Sequence, residues 1–253
     1  MPDNETLIEQ AAHFFRDAKD VFVVTGAGIS ADSGLPTYRG VGGLYDGATT
    51  EDGITIEVAL SGPMFRSQPE ITWKYLAQIE QSARQASFNE AHKVLANMEQ
   101  RFDRFWILTQ NIDGFHSDAG SRNVIEIHGN MHRLKCTQCE YIESFATYET
   151  VSIPPICPNC NAMARPDVVL FEEQLPSKAI STLYSQLGKP FDLVVSIGTS
   201  SYFPYIVEPV ANAARFGIPT IEINPSQTPL SDMVDVKLEM GAKDALCQIW
   251  DLL

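Results

Sequence analysis

Val21-Phe22-Val23-Val24-Thr25-Gly26-Ala27-Gly28-Ile29-Ser30-Ala31 is the stretch that decides how this chain is read. Five apolar or β-branched residues run into Gly-x-Gly-x-x-Ala, the pattern of a buried strand turning sharply into a helix. At such a turn, bare backbone N–H groups and the helix dipole hold a pyrophosphate, so a dinucleotide site is the first expectation. A tight strand-to-helix turn without a ligand is the plainer alternative, because this pattern alone is weakly specific. The residues after Ala31 are unusual for a dehydrogenase. No second strand with a ribose-binding acid arrives about 20 residues later. Instead Pro36-Thr37-Tyr38-Arg39-Gly40 and Gly42-Gly43 make a polar, Gly-rich loop.

The 253 residues give room for one large domain or two modest ones. With 32 acidic against 18 basic residues the formal charge is −14, which repels a phosphate backbone and argues against a nucleic-acid surface. That charge suits basic partners such as lysine-rich peptides, and it equally serves solubility alone. No apolar run approaches the roughly 20 residues that span a bilayer. Met1-Pro2-Asp3-Asn4-Glu5 is acidic and lacks a signal peptide's basic start. A cytoplasmic protein without membrane contact is therefore expected, and its five cysteines point to metal before disulfides.

Residues 5–18 carry apolar groups at helical spacing behind Asp3 and Asn4 as caps, which predicts an amphipathic helix. Val21–Thr25 reads as the first strand and Phe105–Thr109 as another, with mostly helical patterns over residues 55–86 and 89–100 between them. Val124–Ile127 is short and strand-like. After a loop-rich insert at 134–165, helix–strand alternation returns with Val168–Phe171, Asp192–Ile197, Pro219–Ile223 and Val234–Leu238 as strands. Helices are expected near 177–187 and 206–216 and at the C-terminal end. Apolar strands separated by helices predict an α/β fold. It is a Rossmann-like parallel sheet with helices on both faces, plus a small zinc-binding module and a helical insertion. The expected division assigns 1–40, 88–130 and 165–253 to the sheet domain, 41–87 to the helical insertion and 131–164 to the zinc module.

Cys136-x-x-Cys139 and Cys157-x-x-Cys160 are two knuckles separated by residues 140–156. Together they supply four thiolates, a closed tetrahedral set that suits structural Zn2+. A redox dithiol pair and an iron–sulfur site are the alternatives. Tyr141, Phe145 and Tyr148 give the insert little core of its own, so metal is expected to hold it together. Cys247 lies in an apolar helical context and reads as a small hydrophobe.

In an open α/β sheet, ligands bind beyond the carboxyl ends of the strands. Those ends deliver Gly26–Ser30, then Gln110-Asn111-Ile112-Asp113, His128-Gly129-Asn130, Gly198-Thr199-Ser200-Ser201 and Asn224-Pro225. Five apolar strands that each empty into small polar residues point to one shared site. His128 is the acid–base candidate, because an imidazole titrates near pH ~6.5 and a glycine follows that admits a close ligand. No Gly-x-Ser-x-Gly elbow appears, so nucleophilic catalysis by a side chain is unsupported.

The segments Gly26–Gly40, Thr109–Gly120, Ile125–Cys136, Ala164–Pro176, Ile197–Ser201 and Ile221–Thr228, with the two Cys pairs between them, closely resemble the sirtuin (Sir2-like) NAD-dependent protein deacylases. The resemblance covers essentially the whole chain. It implies that NAD is a consumed co-substrate whose C1′ becomes electrophilic as nicotinamide leaves. The acyl-lysine oxygen attacks that carbon to give an imidate, and His128 then acts as general base on a ribose hydroxyl. Nicotinamide, O-acyl-ADP-ribose and free lysine are the implied products. By the same resemblance Asn111 orients ribose and water, and Asp113 holds the carboxamide. Gly26, Ala27, Gly28, Ser30, Thr37, Tyr38 and Arg39 cradle diphosphate and ribose, with Gln110 and Ile112 beside them. Gly198, Thr199, Ser200, Asn224 and Lys243 are assigned to the cofactor, chiefly its adenosine half. Val169, Phe171 and Glu172 line the acyl-lysine channel, where the peptide substrate pairs as an added strand.

The chain departs from the family pattern in three places. Phe171-Glu172-Glu173 stands where the family has Phe-Gly-Glu, which puts peptide geometry in question. Tyr38 replaces the usual phenylalanine, and Tyr202-Phe203-Pro204 follows Ile197–Ser201 one residue early. Desuccinylase-type members carry Tyr-x-x-Arg where the nearest match here is Tyr75-x-x-Gln78. Without the arginine an acidic acyl group would be buried unpaired, so an uncharged acyl group, acetyl first, is expected. Two other functions fit the same residues: a sirtuin-like NAD glycohydrolase or ADP-ribosyltransferase, and a non-catalytic NAD-sensing module. The oligomeric state and the substrate protein are not encoded in any motif.

Overall fold

The central strands of the main sheet, Asp20–Thr25, Arg104–Thr109 and Leu193–Ile197, are largely apolar on both faces, which places them between two layers of helices. The computed structural model describes residues 3–35 and 49–253. Helix α1 (Asn4–Asp17) is capped by Asp3, whose carboxylate accepts from Thr6 N at 2.9 Å. Strand β1 (Asp20–Thr25) follows, and the helix expected after it is a 3₁₀ helix over Ala27–Ser33. The helical insertion holds α2 (Ile56–Ala59), α3 (Gly62–Ser67) and α4 (Pro69–Ala83). The chain returns through α5 (Glu90–Arg101), β2 (Arg104–Thr109), α6 (Phe115–Asp118) and β3 (Val124–Glu126). A second, antiparallel sheet comes next, made of β4 (Gly129–Cys136), β5 (Ile142–Ser144) and β6 (Ala164–Val168). The last part alternates α7 (Ser177–Leu187), β7 (Leu193–Ile197), α8 (Pro204–Arg215), β8 (Thr220–Ile223), β9 (Val236–Leu238) and α9 (Ala242–Asp251).

The main sheet is parallel throughout, in the order β3-β2-β1-β7-β8-β9. The chain leaves β1 toward one edge and resumes at β7 toward the other, so the topological switch falls between β1 and β7. A crevice forms at such a switch, outside the carboxyl ends of the strands. The alternation along β1 serves both layers. Val21 and Val23 pack with Phe15, Leu95 and Ile249, whereas Phe22 and Val24 pack with Leu183, Ile206 and Val210.

A third core joins α4 to the small sheet, with Trp73 and Leu76 against Leu134, Tyr148 and Val168. Tyr148 donates from its hydroxyl to Met131 O at 2.6 Å, and its ring meets Trp73 edge-on at 5.8 Å. Glu80 ties the same corner, accepting from Tyr148 N and from Arg84, which also pairs with Glu149. The cysteine insert thus shares its apolar surface with the helical insertion, more than its own composition suggests.

Two sequence expectations change. Val168–Phe171 does not resume the parallel alternation: β6 ends at Val168 and pairs antiparallel with β4. An apolar run of four does not reveal which sheet it joins. The preceding Pro166, which lacks an N–H, is accommodated because β6 is an edge strand. Gly129, for its part, serves packing. Its φ is +82°, and a Cβ there would lie 1.9 Å from Asp167 O, so the missing side chain admits β6 rather than a ligand.

Candidate active site

Where β1 and β7 end, their loops come into backbone contact. Gly28 N donates to Gly198 O at 2.8 Å, and a Cβ on Gly28 would meet Gly198 Cα at 2.6 Å. Only glycine at both positions lets the loops lie so close. Among the described residues no side chain caps the 3₁₀ helix that starts at Ala27, so its first turn offers backbone donors. These features border a cavity of about 790 Å³ over the carboxyl ends of β1, β2, β7 and β8. Gly26, Ala27, Gly28, Gln110, Asn111, Ile112, His128, Gly198, Thr199, Ser200 and Asn224 line it.

Behind this wall runs a chain of buried side chains. Asn111 Nδ2 donates to Gly26 O at 3.1 Å and to Ser30 Oγ at 3.2 Å. Ser30 Oγ donates in turn to Asp113 Oδ2 at 2.8 Å, and Phe115 N donates to Asp113 Oδ1. Burial raises the Asp113 carboxyl above its ordinary range, against the pull of those two hydrogen bonds. Asn111, Asp113 and Ser30 also border a recess of about 30 Å³ with Ala27, Ile112 and Met131. On the opposite side Gln110 Nε2 donates to Thr199 Oγ1 at 2.7 Å, and Asn224 Nδ2 donates to Thr199 O at 2.9 Å.

His128 follows β3 and is held from both ring nitrogens. Nδ1 lies 3.0 Å from Gln110 O, and a carbonyl only accepts, so Nδ1 carries the proton. Nε2 lies 2.7 Å from the Tyr205 hydroxyl. Burial lowers the His128 pKa from its ordinary value, partly opposed by the Gln110 carbonyl, so the ring is neutral near pH 7. It is an imidazole in one tautomer, with its basic nitrogen on the cavity side.

Val169, Phe171 and Glu172 line the same cavity. Phe171 is tied to the helical insertion, donating to Leu60 O and accepting from Gly62 N, both at 2.9 Å. Glu173 is locked inward by Arg165 at 2.6 and 2.9 Å. Glu172 is exposed at φ +64°, the left-handed region, which explains why the family pattern has glycine here. Glu172→Gly is expected to raise stability by about 0.5–1 kcal/mol, read from the denaturant midpoint at constant m-value. A lower midpoint would mean that the carboxylate holds contacts worth more than the strain.

Three assigned residues stand apart from the cavity. Lys243 is exposed on α9, and Gly241 lines the cavity instead. Tyr75 is buried with its hydroxyl 2.5 Å from Asp52, and Gln78 is exposed. From the same helix Leu76 and Ile79 reach the cavity, one position further along. Their apolar i, i+3 spacing was the available signal, masked by the more distinctive Tyr75. Tyr205 and Phe203 also line the cavity; the early Tyr202-Phe203-Pro204 spacing marked the loop, but nothing in the sequence pointed to Tyr205. Thr37, Tyr38 and Arg39 lie outside the described residues.

The four cysteine sulfurs lie within 4.8 Å of one another. Cys136 Sγ is 3.4 Å from Cys160 Sγ, and Cys139 Sγ is 3.6 Å from Cys157 Sγ. A tetrahedral zinc with bonds of about 2.3 Å sets its sulfurs roughly 3.8 Å apart, so the cluster fits structural Zn2+. Gln138 N and Cys139 N point at Cys136 Sγ, and Asn159 N points at Cys157 Sγ, which favours the thiolate form. Cys247 is half-buried against the main core.

The Sir2 family pattern matches residues 26–204. The chain belongs to the Sir2 family. A Pseudomonas aeruginosa relative named NAD-dependent protein deacylase 2 is 48% identical over 98% of this chain and 97% of its own. A Sir2 homologue solved in complex with NAD superposes with a TM-score of 0.84 at 31% identity, covering 96% of this chain and 92% of that one. A Sir2 complex with a p53 peptide and NAD+ superposes with a TM-score of 0.81 at 27% identity, over 96% and 97% of the two chains. Among the described residues no helix is long and apolar enough to cross a membrane.

Proposed function

We propose that this Sir2-family protein is an NAD-dependent protein-lysine deacylase that prefers uncharged acyl groups, acetyl first. One observation carries it: the neutral, tautomer-fixed His128 shares a cavity with the glycine turn, Asn111 and the Val169–Glu172 segment. NAD supplies, when bound, a sugar carbon that becomes electrophilic as nicotinamide departs. The protein's residues do the rest. Gly26–Gly28 and Gly198–Ser200 offer bare backbone to the diphosphate and the adenosine half, and Asn224 stiffens that side through Thr199. Asp113 and Asn111, braced by Ser30, would hold the nicotinamide and its ribose. His128 would take a proton at Nε2 from a ribose hydroxyl, with Gln110 O holding its opposite edge. Thr37, Tyr38 and Arg39 belong to this cofactor site by motif alone.

Acyl-lysine proteins or peptides are the proposed partners, entering over Val169, Phe171 and Glu172. Leu76 and Ile79 replace the proposed Tyr75 and Gln78 at the acyl end, and their apolar surface offers no charge partner to a carboxylate. On matched peptides, deacetylation is expected to exceed desuccinylation at least about tenfold in kcat/KM, an energy difference of about 1.4 kcal/mol. Faster desuccinylation would overturn the preference. The division into sheet domain, helical insertion and zinc module, and a cytoplasmic location, belong to the same proposal.

Exposed Glu172 on the peptide segment is the observation that keeps NAD glycohydrolase activity as a second reading. Nicotinamide release with and without acetyl-lysine peptide separates the two. A deacylase releases it only with peptide. Release at the same rate without peptide identifies the hydrolase, and no release identifies a sensor.

A further inference from the structure

The loop after β7 carries two left-handed residues and brings an aromatic pair against His128. Gly198 and Ser201 both take left-handed backbone, at φ +59° and +52°, and the chain enters α8 at Pro204. Tyr205 therefore falls in the first turn of α8, half-buried, with its hydroxyl 2.7 Å from His128 Nε2. Its ring stacks on Phe203 at 5.4 Å, and both rings meet the imidazole edge-on at 6.0 Å. The aromatic pair fixes where that hydroxyl can sit. Gln110 O occupies Nδ1, so Nε2 has a single in-plane lone pair, and Tyr205 donates to it.

We propose that Tyr205 is a positioning residue that stands in for a substrate hydroxyl at His128, and that an incoming ribose hydroxyl must displace it before His128 can act as base. The identity of the incoming hydroxyl rests on the deacylase reading; the Tyr205–His128 contact does not. Burial pushes the phenol up to about 12, so Tyr205 keeps its proton and remains a donor across the neutral range. A nitrogen with one lone pair serves one donor at a time. The ligand-free protein is thus held in a capped form, and affinity for a hydroxyl-bearing ligand is reduced by the fraction capped. A net intramolecular hydrogen bond sets that reduction at roughly three- to tenfold.

The test is calorimetric titration of the full-length wild-type and Tyr205→Phe proteins with ADP-ribose, which carries the ribose hydroxyls and does not react. Phenylalanine keeps the stacking on Phe203 and removes only the donor. Tyr205→Phe is expected to bind ADP-ribose three- to tenfold more tightly, whereas a merely structural role predicts unchanged or weaker binding. The gain must vanish in a His128→Ala background; a gain that persists there overturns the proposal. ¹⁵N NMR of the ligand-free proteins gives a second readout. The His128 Nδ1–H tautomer is expected in both, with the Nε2 resonance shifted in Tyr205→Phe, and an unshifted resonance overturns the contact. If ADP-ribose fails to bind the wild type, the NAD reading fails, and the NMR measurement still decides the role of Tyr205.

Discussion

His128→Ala is expected to lower the deacylation rate by roughly 10²- to 10⁴-fold while the melting temperature stays within a degree or two of wild type. The kinetic loss follows from geometry. His128 is the imidazole whose Nδ1 is committed to Gln110 O and whose Nε2 faces the cavity, and among the described residues no neighbouring group on this wall replaces it as a neutral base. Asp113 is enclosed by Ser30 and Phe115 N, and Tyr205 holds its proton too tightly. The small structural cost follows from position: the ring lies at a cavity wall rather than inside one of the three apolar cores. In the proposed order nicotinamide departs before the proton transfer, so peptide-dependent nicotinamide exchange should persist in His128→Ala. Steady-state deacylation together with exchange measures both. Parallel loss of the two would mean that His128 supports cofactor binding rather than proton transfer.

The second large effect concerns the zinc. Cys157→Ser, or prolonged chelation, is expected to lower bound zinc from one per chain to below a tenth. Zinc binding in such modules contributes on the order of 10 kcal/mol to folding, so the small sheet should open well before the rest of the chain. Trp73 reports the event, because it packs edge-on against Tyr148 in the core shared by α4 and the module. A red shift of its emission in a separate, low-temperature transition is expected. Activity should fall with that transition, since β4 starts at Gly129, directly after His128, and β6 runs into the Val169–Glu172 segment. Zinc and fold retained while catalysis is lost would contradict a structural metal.

The main sheet was legible because its central strands are largely apolar on both faces. Val21–Thr25 and Leu193–Ile197 have no polar alternation to confuse with a helix or an exposed hairpin, and the sheet they form carries the strand-end residues of the site. The second sheet was hidden because β4 mixes Asn130, His132, Arg133 and Lys135 among its apolar residues and shifts register between Asn130 and Leu134. Such a strand has no clean period. At the site, His128, Asn111 and Asp113 were readable from their place after a strand, where short-range pattern decides position. Tyr205 was not readable. Its place depends on a left-handed loop and on how α8 packs over β7, and neither is written in the residues around it. Leu76 and Ile79 lay one helical step from Tyr75 and Gln78, and only the rotation of α4 against the small sheet tells the two pairs apart.

Product balance by mass spectrometry, after incubation with NAD and an acetyl-lysine peptide, decides whether this chain is a deacylase. The prediction is equal amounts of nicotinamide, O-acetyl-ADP-ribose and deacetylated peptide, with none formed when either substrate is omitted. Nicotinamide and free ADP-ribose formed without peptide, or no turnover at all, would contradict it.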